Sequence, residues 1–286
     1  MLPASWRFTA IGVPWQIDTA EPLPVEVATA VGDRIEAFDG VYSRFRADSL
    51  VTRIASEPGM HRFPADAALL FDVYRDLYEA TDGAVTPLIG RALETLGYDA
   101  AYSLIPRGDG IATPAWDDAI AWRDGTLSTL APVTVDVGAA GKGYLADLVG
   151  EVLREAGITE YTVDASGDIV HAGGRPLRVG LEHPLDATKA IGIATLADGA
   201  LCASATNRRA WGSGLHHIVD PTTGLPTREV LATWVIAPTG LIADGIATAL
   251  FFADAERLLE RFEFTWVRML SNGRIEHSAA FEGEVF

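Results

Sequence analysis

Apolar side chains recur at helical spacing in four stretches of the chain. In the clearest of them Leu70, Val73 and Leu77 fall on one face, and Gly83 follows shortly after the pattern ends. Another stretch begins at Gly141, carries a wide apolar stripe and stops at Gly157. The patterns predict helices over residues 25–38, 66–80, 141–156 and 241–253, the last of them broken or continued by a second helix to Arg261.

Short runs of β-branched and aromatic residues lie between these helices and predict strands. The first run, from Trp6 to Ile17, is interpreted as one strand that bends at Pro14. Residues 271–273, with the sequence Ser-Asn-Gly, join two runs in a predicted hairpin over 264–279. The remaining strands are predicted around residues 119–122, 133–137, 161–163, 178–181, 191–196, 200–203, 217–219 and 233–236.

Strands and helices are mixed along the whole chain, with no internal repeat and no low-complexity linker. This arrangement favours an α+β fold in which helices pack on mixed sheets. At 286 residues the chain is long enough to bury a substantial core. We therefore expect residues 1–286 to form a single unit built from two intimately packed lobes.

The chain is acidic, with a formal net charge of −17 at pH 7. A nucleic-acid surface needs a basic stripe, so this balance argues against nucleic acid as a partner. A phosphate-bearing ligand would need a metal ion or local cations to offset the repulsion. Cys202 is the only cysteine, which excludes a disulfide framework and a thiolate metal cluster.

The compartment is predicted from apolar runs and from the first residues. No stretch approaches about 18 consecutive apolar residues, so no membrane span is expected. The opening MLPASWRFTAIG lacks the basic and apolar segments of a signal peptide and any cysteine for lipidation. We expect a cytoplasmic protein, or an extracytoplasmic one if a leader has been removed.

Residues 135–144, VDVGAAGKGY, form the most informative stretch. Asp136 lies near the end of a predicted strand, small residues then allow a ligand to approach the backbone, and Lys142 stands where a helix begins. Free N–H groups at a helix start together with a lysine suit an anion. The spacing matches neither a Walker A loop nor a dinucleotide fingerprint. Taken alone, the stretch is equally well explained as a tight turn with a solvent-facing lysine.

A second stretch, residues 243–250, places Asp244 and Thr248 four positions apart on one helical face. A carboxylate beside a hydroxyl suits a hard cation such as Mg²⁺. Taken alone, the segment favours a structural interpretation, in which Asp244 caps the helix and Thr248 bonds back to a carbonyl.

The third stretch pairs His216 and His217 with a following Asp-Pro-Thr-Thr-Gly turn. A histidine in this position can act as a base or contact a phosphate, and a structural or exposed histidine is the alternative. No cysteine or histidine spacing supports a transition-metal site.

Seven blocks of the sequence, taken in order, resemble the ApbE family, the FAD:protein FMN transferases. No single block is diagnostic, but their order and spacing over nearly the whole chain are specific. The blocks are FTAIGV at 8–13, SRFRADS at 43–49, DGAVTPL at 82–88, DVGAAGKGY at 136–144, DASGDI at 164–169, HIVDPTTG at 217–224 and ADGIATAL at 243–250.

The resemblance implies a particular site. One Mg²⁺ would be held by the carbonyl of Ala139 and the side chains of Asp244 and Thr248. The weak signals at 135–144 and 243–250 would then belong to one metal–pyrophosphate site. The implied FAD contacts come from Ile11, Phe45, Ala84, Val85, Thr86, Asp136, Lys142, His217 and Ile218.

The implied reaction is Mg²⁺-dependent transfer of FMN from FAD to a threonine or serine hydroxyl of a target protein, with release of AMP. Asp244 would act through the metal, Lys142 would add positive charge at the pyrophosphate, and His217 is the candidate base. Two alternatives stay open. With water as the nucleophile the same site would be an FAD pyrophosphatase, and without catalysis the protein would only bind FAD.

Overall fold

A central antiparallel sheet organises the computed structural model, which describes residues 2–286. The strands are β1 (Ala4–Ala10), β2 (Val13–Thr19), β3 (Met60–Arg62), β4 (Ile120–Arg123), β5 (Thr126–Thr129), β6 (Tyr161–Asp164), β7 (Ile169–Ala172), β8 (Leu177–His183), β9 (Asp186–Leu196), β10 (Gly199–Ala205), β11 (Ala210–Trp211), β12 (Leu215–His216), β13 (Val219–Asp220), β14 (Leu225–Pro226), β15 (Val230–Ala237), β16 (Thr265–Leu270), β17 (Ile275–His277) and β18 (Gly283–Val285).

Residues 2–286 also form eight helices, four of which are ten residues or longer. They are α1 (Val25–Tyr42), α2 (Leu50–Ile54), α3 (Ala67–Ala80), α4 (Gly90–Thr95), α5 (Trp116–Ala119), α6 (Gly141–Glu155), α7 (Gly240–Ala249) and α8 (Ala255–Leu259).

Among residues 2–286, eight strands form the central sheet in the order β1-β2-β6-β7-β10-β15-β16-β17. Each neighbouring pair in it is antiparallel. Two three-stranded sheets, β18-β9-β8 and β3-β5-β4, flank it. The predicted α+β class, with helices packed on sheets, is confirmed.

The central sheet buries both of its faces. Leu145 of α6 and Ile246 of α7 belong to the larger core, which covers one face, while Leu181 of β8 belongs to a smaller core on the other face. Along β15, Trp234 lies in the smaller core and its neighbour Val235 lies in the larger one. This alternation is what a strand buried between two layers requires.

Helices α6 and α7 meet at a point where neither has a side chain. A Cβ added to Gly143 would lie 2.1 Å from the carbonyl oxygen of Gly240, and one added to Gly240 would lie 2.3 Å from the carbonyl oxygen of Gly143. Only glycine permits such an approach of two backbones. The contact therefore places the first turns of the two helices side by side.

Asp147 of α6 fixes this arrangement. Its carboxylate accepts hydrogen bonds from the backbone N–H groups of Gly240 at 2.7 Å and Leu241 at 2.8 Å. These N–H groups have no partner within their own helix, so a side chain from a neighbouring helix must satisfy them. Burial raises the pKa of Asp147 to about 6, although these two hydrogen bonds act in the opposite direction.

The single strand predicted over residues 6–17 is wrong, since β1 and β2 form a hairpin there. The turn is Ile11-Gly12, and both residues have positive φ, 46° and 78°. Two-residue hairpin turns need this conformation, and asparagine or glycine normally marks its first position. Isoleucine at the first turn position hides the hairpin in the sequence, although Gly12 follows it.

The strand predicted over residues 133–137 is also wrong. Val133, Val135 and Val137 alternate into the larger core, which produced the strand-like pattern. However, the segment pairs with no strand of the described residues, and the backbone N–H of Asp136 donates to the carbonyl of Pro87 at 2.8 Å.

Two other predicted boundaries change. Of the strand predicted over 217–219, only Val219 lies in a strand, β13, because the backbone N–H of Ile218 donates to the ring Nδ1 of His216 instead of to a strand. The helix predicted over 241–253 ends at Ala249, and α8 follows separately. None of the helices in residues 2–286 combines the length and the apolar character needed to cross a membrane.

We predict that Gly143→Ala destabilises the protein by about 1 to 3 kcal/mol or more, because the added methyl group must displace backbone. Gly32→Ala in α1 is the matched control, since nothing lies within 4 Å of its added Cβ. The control should be neutral or slightly stabilising, by up to about 1 kcal/mol. Urea unfolding of both variants checks this. Equal stabilities would contradict the proposed role of the glycine contact.

Candidate functional site

The turn before α6 presents a backbone carbonyl to α7. The N–H of Gly141 donates to the carbonyl of Val137 at 2.7 Å, which closes the turn and leaves the carbonyl of Ala139 directed away from the helix. Thr248 donates its hydroxyl to that carbonyl at 3.3 Å. The hydroxyl of Ser204 lies 3.4 Å from the hydroxyl of Thr248. Two of the predicted metal ligands, Ala139 and Thr248, are therefore in contact.

Asp244 lies one helical turn before Thr248 and is only 4% exposed. One of its carboxylate oxygens accepts a hydrogen bond from the backbone N–H of Gly143 at 2.9 Å. Burial raises the pKa of Asp244 well above its ordinary value, and the nearby carboxylate of Asp168 raises it further. The N-cap of α7 is Thr239, so the structural interpretation of Asp244 as a cap of its own helix is wrong.

Lys142 points inward from the first turn of α6. Its ammonium group contacts the carboxylate of Asp168 and donates to the carbonyl of Ala165 at 3.0 Å. Burial acts to lower the pKa of Lys142, but the carboxylates of Asp168 and Asp244 outweigh it and raise that pKa. The side chain is 20% exposed and its ammonium group is paired within the protein, so the alternative of a solvent-facing lysine is wrong.

Asp168 is a site residue that sequence reasoning did not select. It is fully buried, and besides Lys142 it accepts from the backbone N–H of Ala203 at 3.3 Å. The signal was present, because Asp168 closes the block DASGDI at 164–169. No spacing in the sequence connects it with Lys142, which lies 26 residues away.

These residues fit a hard cation. The available ligand atoms are a backbone carbonyl at Ala139, a hydroxyl at Thr248 and a carboxylate at Asp244, all of them oxygens. Among residues 2–286, no group of three or more His, Cys, Asp and Glu side chains forms a metal site. A single carboxylate with neutral oxygens matches Mg²⁺, which keeps several waters or substrate oxygens in its coordination shell.

Asp136, a predicted FAD contact, is engaged by the protein itself. One carboxylate oxygen contacts the guanidinium of Arg44, and the other accepts from the backbone N–H of Gly138 at 2.7 Å. Burial opposes ionisation of Asp136, but Arg44 outweighs it and lowers the pKa. Arg44 is buried as well and donates to the carbonyl of Tyr98 at 2.8 Å. Sequence reasoning quoted Arg44 within a block but gave it no role.

An aromatic wall, defined here as Phe45, Tyr98, Tyr102 and Trp211, stands beside this ion pair. The rings of Phe45 and Tyr102 are stacked at 4.8 Å between centroids, and those of Tyr98 and Trp211 at 5.7 Å. The guanidinium of Arg44 lies over the Phe45 ring at 4.2 Å. Phe45 was predicted as a FAD contact, and a flat aromatic ligand is what such a wall would bind.

Two other predicted contact segments border the same region. A Cβ added to Gly12 would lie 3.8 Å from the Tyr102 hydroxyl, so the turn that carries Ile11 approaches the aromatic wall. Residues Ala84, Val85 and Thr86 follow α3, and their loop is joined to Asp136 through the carbonyl of Pro87. Val85 and Thr86 are buried, and the Thr86 hydroxyl accepts from the N–H of Leu88 at 3.2 Å.

The two adjacent histidines have different surroundings. The ring of His216 bonds to the carbonyl of Thr227 at 2.9 Å and so fixes the turn. The Nδ1 atom of His217 is buried and has no hydrogen-bond partner among the described residues. Burial, followed by the charge of Arg209, lowers the pKa of His217 to about 3, which keeps the ring neutral at pH 7. Ile218, also a predicted contact, is buried beside it.

The predicted residues therefore fall into adjoining groups. Ala139, Lys142, Asp244 and Thr248 lie where the start of α6 packs against the middle and end of α7, while Asp136 joins the loop 84–87 to the aromatic wall. His217 belongs with the second group, since the Asp136 carboxylate is close enough to act on the pKa of its ring.

Comparison with known proteins identifies the family. The sequence matches the ApbE family over residues 11–268. The chain belongs to the ApbE family. The FAD:protein FMN transferase of Salmonella typhimurium is 26% identical over 280 residues, covering 89% of this chain and 77% of the relative. The enzyme of the same name from Klebsiella pneumoniae is 27% identical, covering 88% and 76%. The predicted family and the predicted enzyme class, a transferase, are confirmed.

Solved structures show the same fold. The ApbE protein from Thermotoga maritima superimposes with a TM-score of 0.82 at 23% identity, covering 96% of this chain and 97% of that one. The flavin transferase ApbE from Vibrio cholerae gives 0.80 at 21% identity, covering 97% and 98%.

We predict that Arg44→Met lowers the free energy of unfolding by about 3 to 5 kcal/mol, because it leaves the buried carboxylate of Asp136 without its cation. Arg46→Met should cost far less, since water screens the exposed ion pairs of Arg46. Denaturant unfolding measures both. The double variant Arg44→Met/Asp136→Asn should recover much of the loss, and a double variant no more stable than the single one would contradict the ion-pair explanation.

Proposed function

We propose that the whole chain acts as one unit that transfers FMN from FAD to a threonine or serine hydroxyl of a target protein and releases AMP, with Mg²⁺ bound. The observation that carries the proposal is the meeting of Ala139, Lys142, Asp244 and Thr248 at one point, beside a free histidine nitrogen and an aromatic wall. The names of the curated relatives support the reaction class.

In this proposal the aromatic wall binds the flavin ring. Ile11, Phe45 and the loop 84–86 form the sides of the pocket, and Asp136 keeps Arg44 in place between them. Stacking holds the flavin so that the pyrophosphate extends toward the start of α6 and α7. Holding reactants in one geometry is a large part of what a transferase contributes.

Charge is the second contribution of the chain. The pyrophosphate is an anion in a protein of net charge −17, so it needs local cations. Mg²⁺, when held by Ala139, Asp244 and Thr248, would supply a Lewis acid that polarises the phosphate and stabilises the departing AMP. Lys142 adds a positive charge close by, and Asp168 holds its ammonium group in position.

His217 is the proposed base for the attacking hydroxyl. It is neutral and its Nδ1 atom is free, so it can take a proton. With a pKa of about 3 it is a weak base in the unliganded protein. A phosphate anion beside the ring would raise this pKa and make the proton transfer more favourable.

The test of the function is incubation of the purified protein with FAD and Mg²⁺, with and without a candidate flavinylation target. Release of AMP together with a covalently fluorescent target on a denaturing gel is the expected result. Release of AMP without labelled protein, and equally with or without target, would indicate a hydrolase instead. Binding of FAD with no AMP in either tube would indicate a storage protein.

We predict that Asp244→Ala and Asp244→Asn both abolish Mg²⁺-dependent AMP release. The asparagine variant is the sharper one, because its amide oxygen can still accept from the N–H of Gly143 while the negative charge is lost. Calorimetric titration with Mg²⁺ should show weakened binding in a folded protein. Full activity of the asparagine variant at ordinary Mg²⁺ concentration would remove Asp244 from the metal site.

A further inference from the structure

Arg209 is a cation of the site that the proposed mechanism does not use. It lies in the loop between β10 and β11, half-buried, with its guanidinium 5.9 Å from the ring centroid of Tyr98. Among residues 2–286 its guanidinium makes no hydrogen bond, and no carboxylate oxygen lies within 4.0 Å. Arg44, the other arginine of the site, already has Asp136 and the Tyr98 carbonyl as partners.

The loop that carries Arg209 is anchored at both ends. At the start the N–H of Thr206 donates to the carbonyl of Leu231 at 3.0 Å. At the end the indole N–H of Trp211 donates to the carbonyl of Leu96 at 2.9 Å, and its ring stacks on Tyr98. Arg209 therefore has a fixed position at the edge of the aromatic wall.

The charge of Arg209 acts on groups from each part of the site. After burial, it is the largest influence on the pKa of both His217 and Tyr98. Its charge also acts to lower the pKa of Asp136 and of Asp244. The guanidinium, 5.9 Å from the Tyr98 ring, is therefore close enough for its charge to act on His217 and on both carboxylates.

We propose that Arg209 is a substrate-binding residue whose guanidinium pairs with the pyrophosphate of bound FAD. The inference rests on the proposed function and adds to it a contact that neither the sequence blocks nor the metal residues supply. A guanidinium offers several N–H groups in a fork that matches phosphate oxygens. The buried and unpartnered Nδ1 of His217, next to this cation, is a second group without a protein partner.

The unpaired guanidinium of Arg209 and the free Nδ1 of His217 fit a bound phosphate better than they fit the flavin ring. The ring already has Phe45, Tyr102 and Arg44 beside it, whereas the anionic linkage has only Lys142 as a cationic side chain, and Lys142 is held by Asp168. Because no carboxylate of this acidic protein pairs with Arg209, the full charge of that guanidinium can attract an anion.

The test compares Arg209→Met and Arg209→Lys with Arg208→Met. Arg208 is a matched control, because it is the adjacent residue, exposed, and paired with Glu182 at 3.3 Å on the side of β8. Dissociation constants are measured for FAD by quenching of flavin fluorescence, and for riboflavin by competition against FAD. Riboflavin carries the same ring but no phosphate. Circular dichroism confirms folding of each variant.

We expect Arg209→Met to weaken FAD binding by about 10- to 100-fold, as for the loss of a charged hydrogen bond, and to leave riboflavin binding unchanged. Arg209→Lys should fall between wild type and the methionine variant, because a lysine supplies the charge without the fork. Arg208→Met should bind both ligands as wild type does.

Equal weakening of FAD and riboflavin by Arg209→Met would overturn the assignment and place the guanidinium on the flavin ring. Unchanged FAD binding would overturn it as well, and so would a lysine variant no better than methionine. Failure of the wild-type protein to bind FAD would instead refute the proposed function. The two failures are therefore distinguishable.

Discussion

The approach of α6 and α7 at Gly143 and Gly240 is the contact on which the site depends. It removes side chains from the one place where two helices start side by side, and Asp147 closes it by satisfying the amides of α7. The turn before α6 lies against α7, so that its Ala139 carbonyl reaches the Thr248 hydroxyl near the end of α7, while Asp244 in the middle of α7 accepts from Gly143 in the first turn of α6. A wider separation would divide these oxygens between two surfaces, and neither surface alone could coordinate a cation.

The site also contains more negative than positive groups away from water. Asp168 and Asp244 bring two carboxylates against one ammonium group, so the region is short of positive charge. Burying unpaired charge is costly, and proteins keep such groups where a ligand compensates them. Asp136 shows the contrasting solution, because Arg44 neutralises it within the protein. The excess negative charge therefore lies near the metal-binding oxygens, while the ion pair of Asp136 and Arg44 lies beside the aromatic wall.

A feature could be predicted from the sequence when the residues that form it are close together along the chain. The four-residue spacing of Asp244 and Thr248 and the glycine-rich start of α6 are local, and together with the family resemblance they indicated the candidate site. The ion pair of Asp136 with Arg44 joins residues 92 positions apart, so no spacing could indicate it. Segment 133–137 was misassigned because burial of alternate valines imitates a strand, and the hairpin turn at Ile11 was missed because isoleucine gives no turn signal. Arg209 depends on a loop whose anchors, Leu96 and Leu231, are distant in sequence.

The single cysteine can report on local opening of the structure. Cys202 is fully buried beneath the first turn of α7, with its sulfur 3.7 Å from the carbonyl of Gly240, and burial raises its thiol pKa well above the ordinary value. A thiol reagent can reach it only when α7 separates from the central sheet. The chain thus contains one intrinsic reporter, free of competing thiols, whose labelling rate measures how often α7 separates from the central sheet.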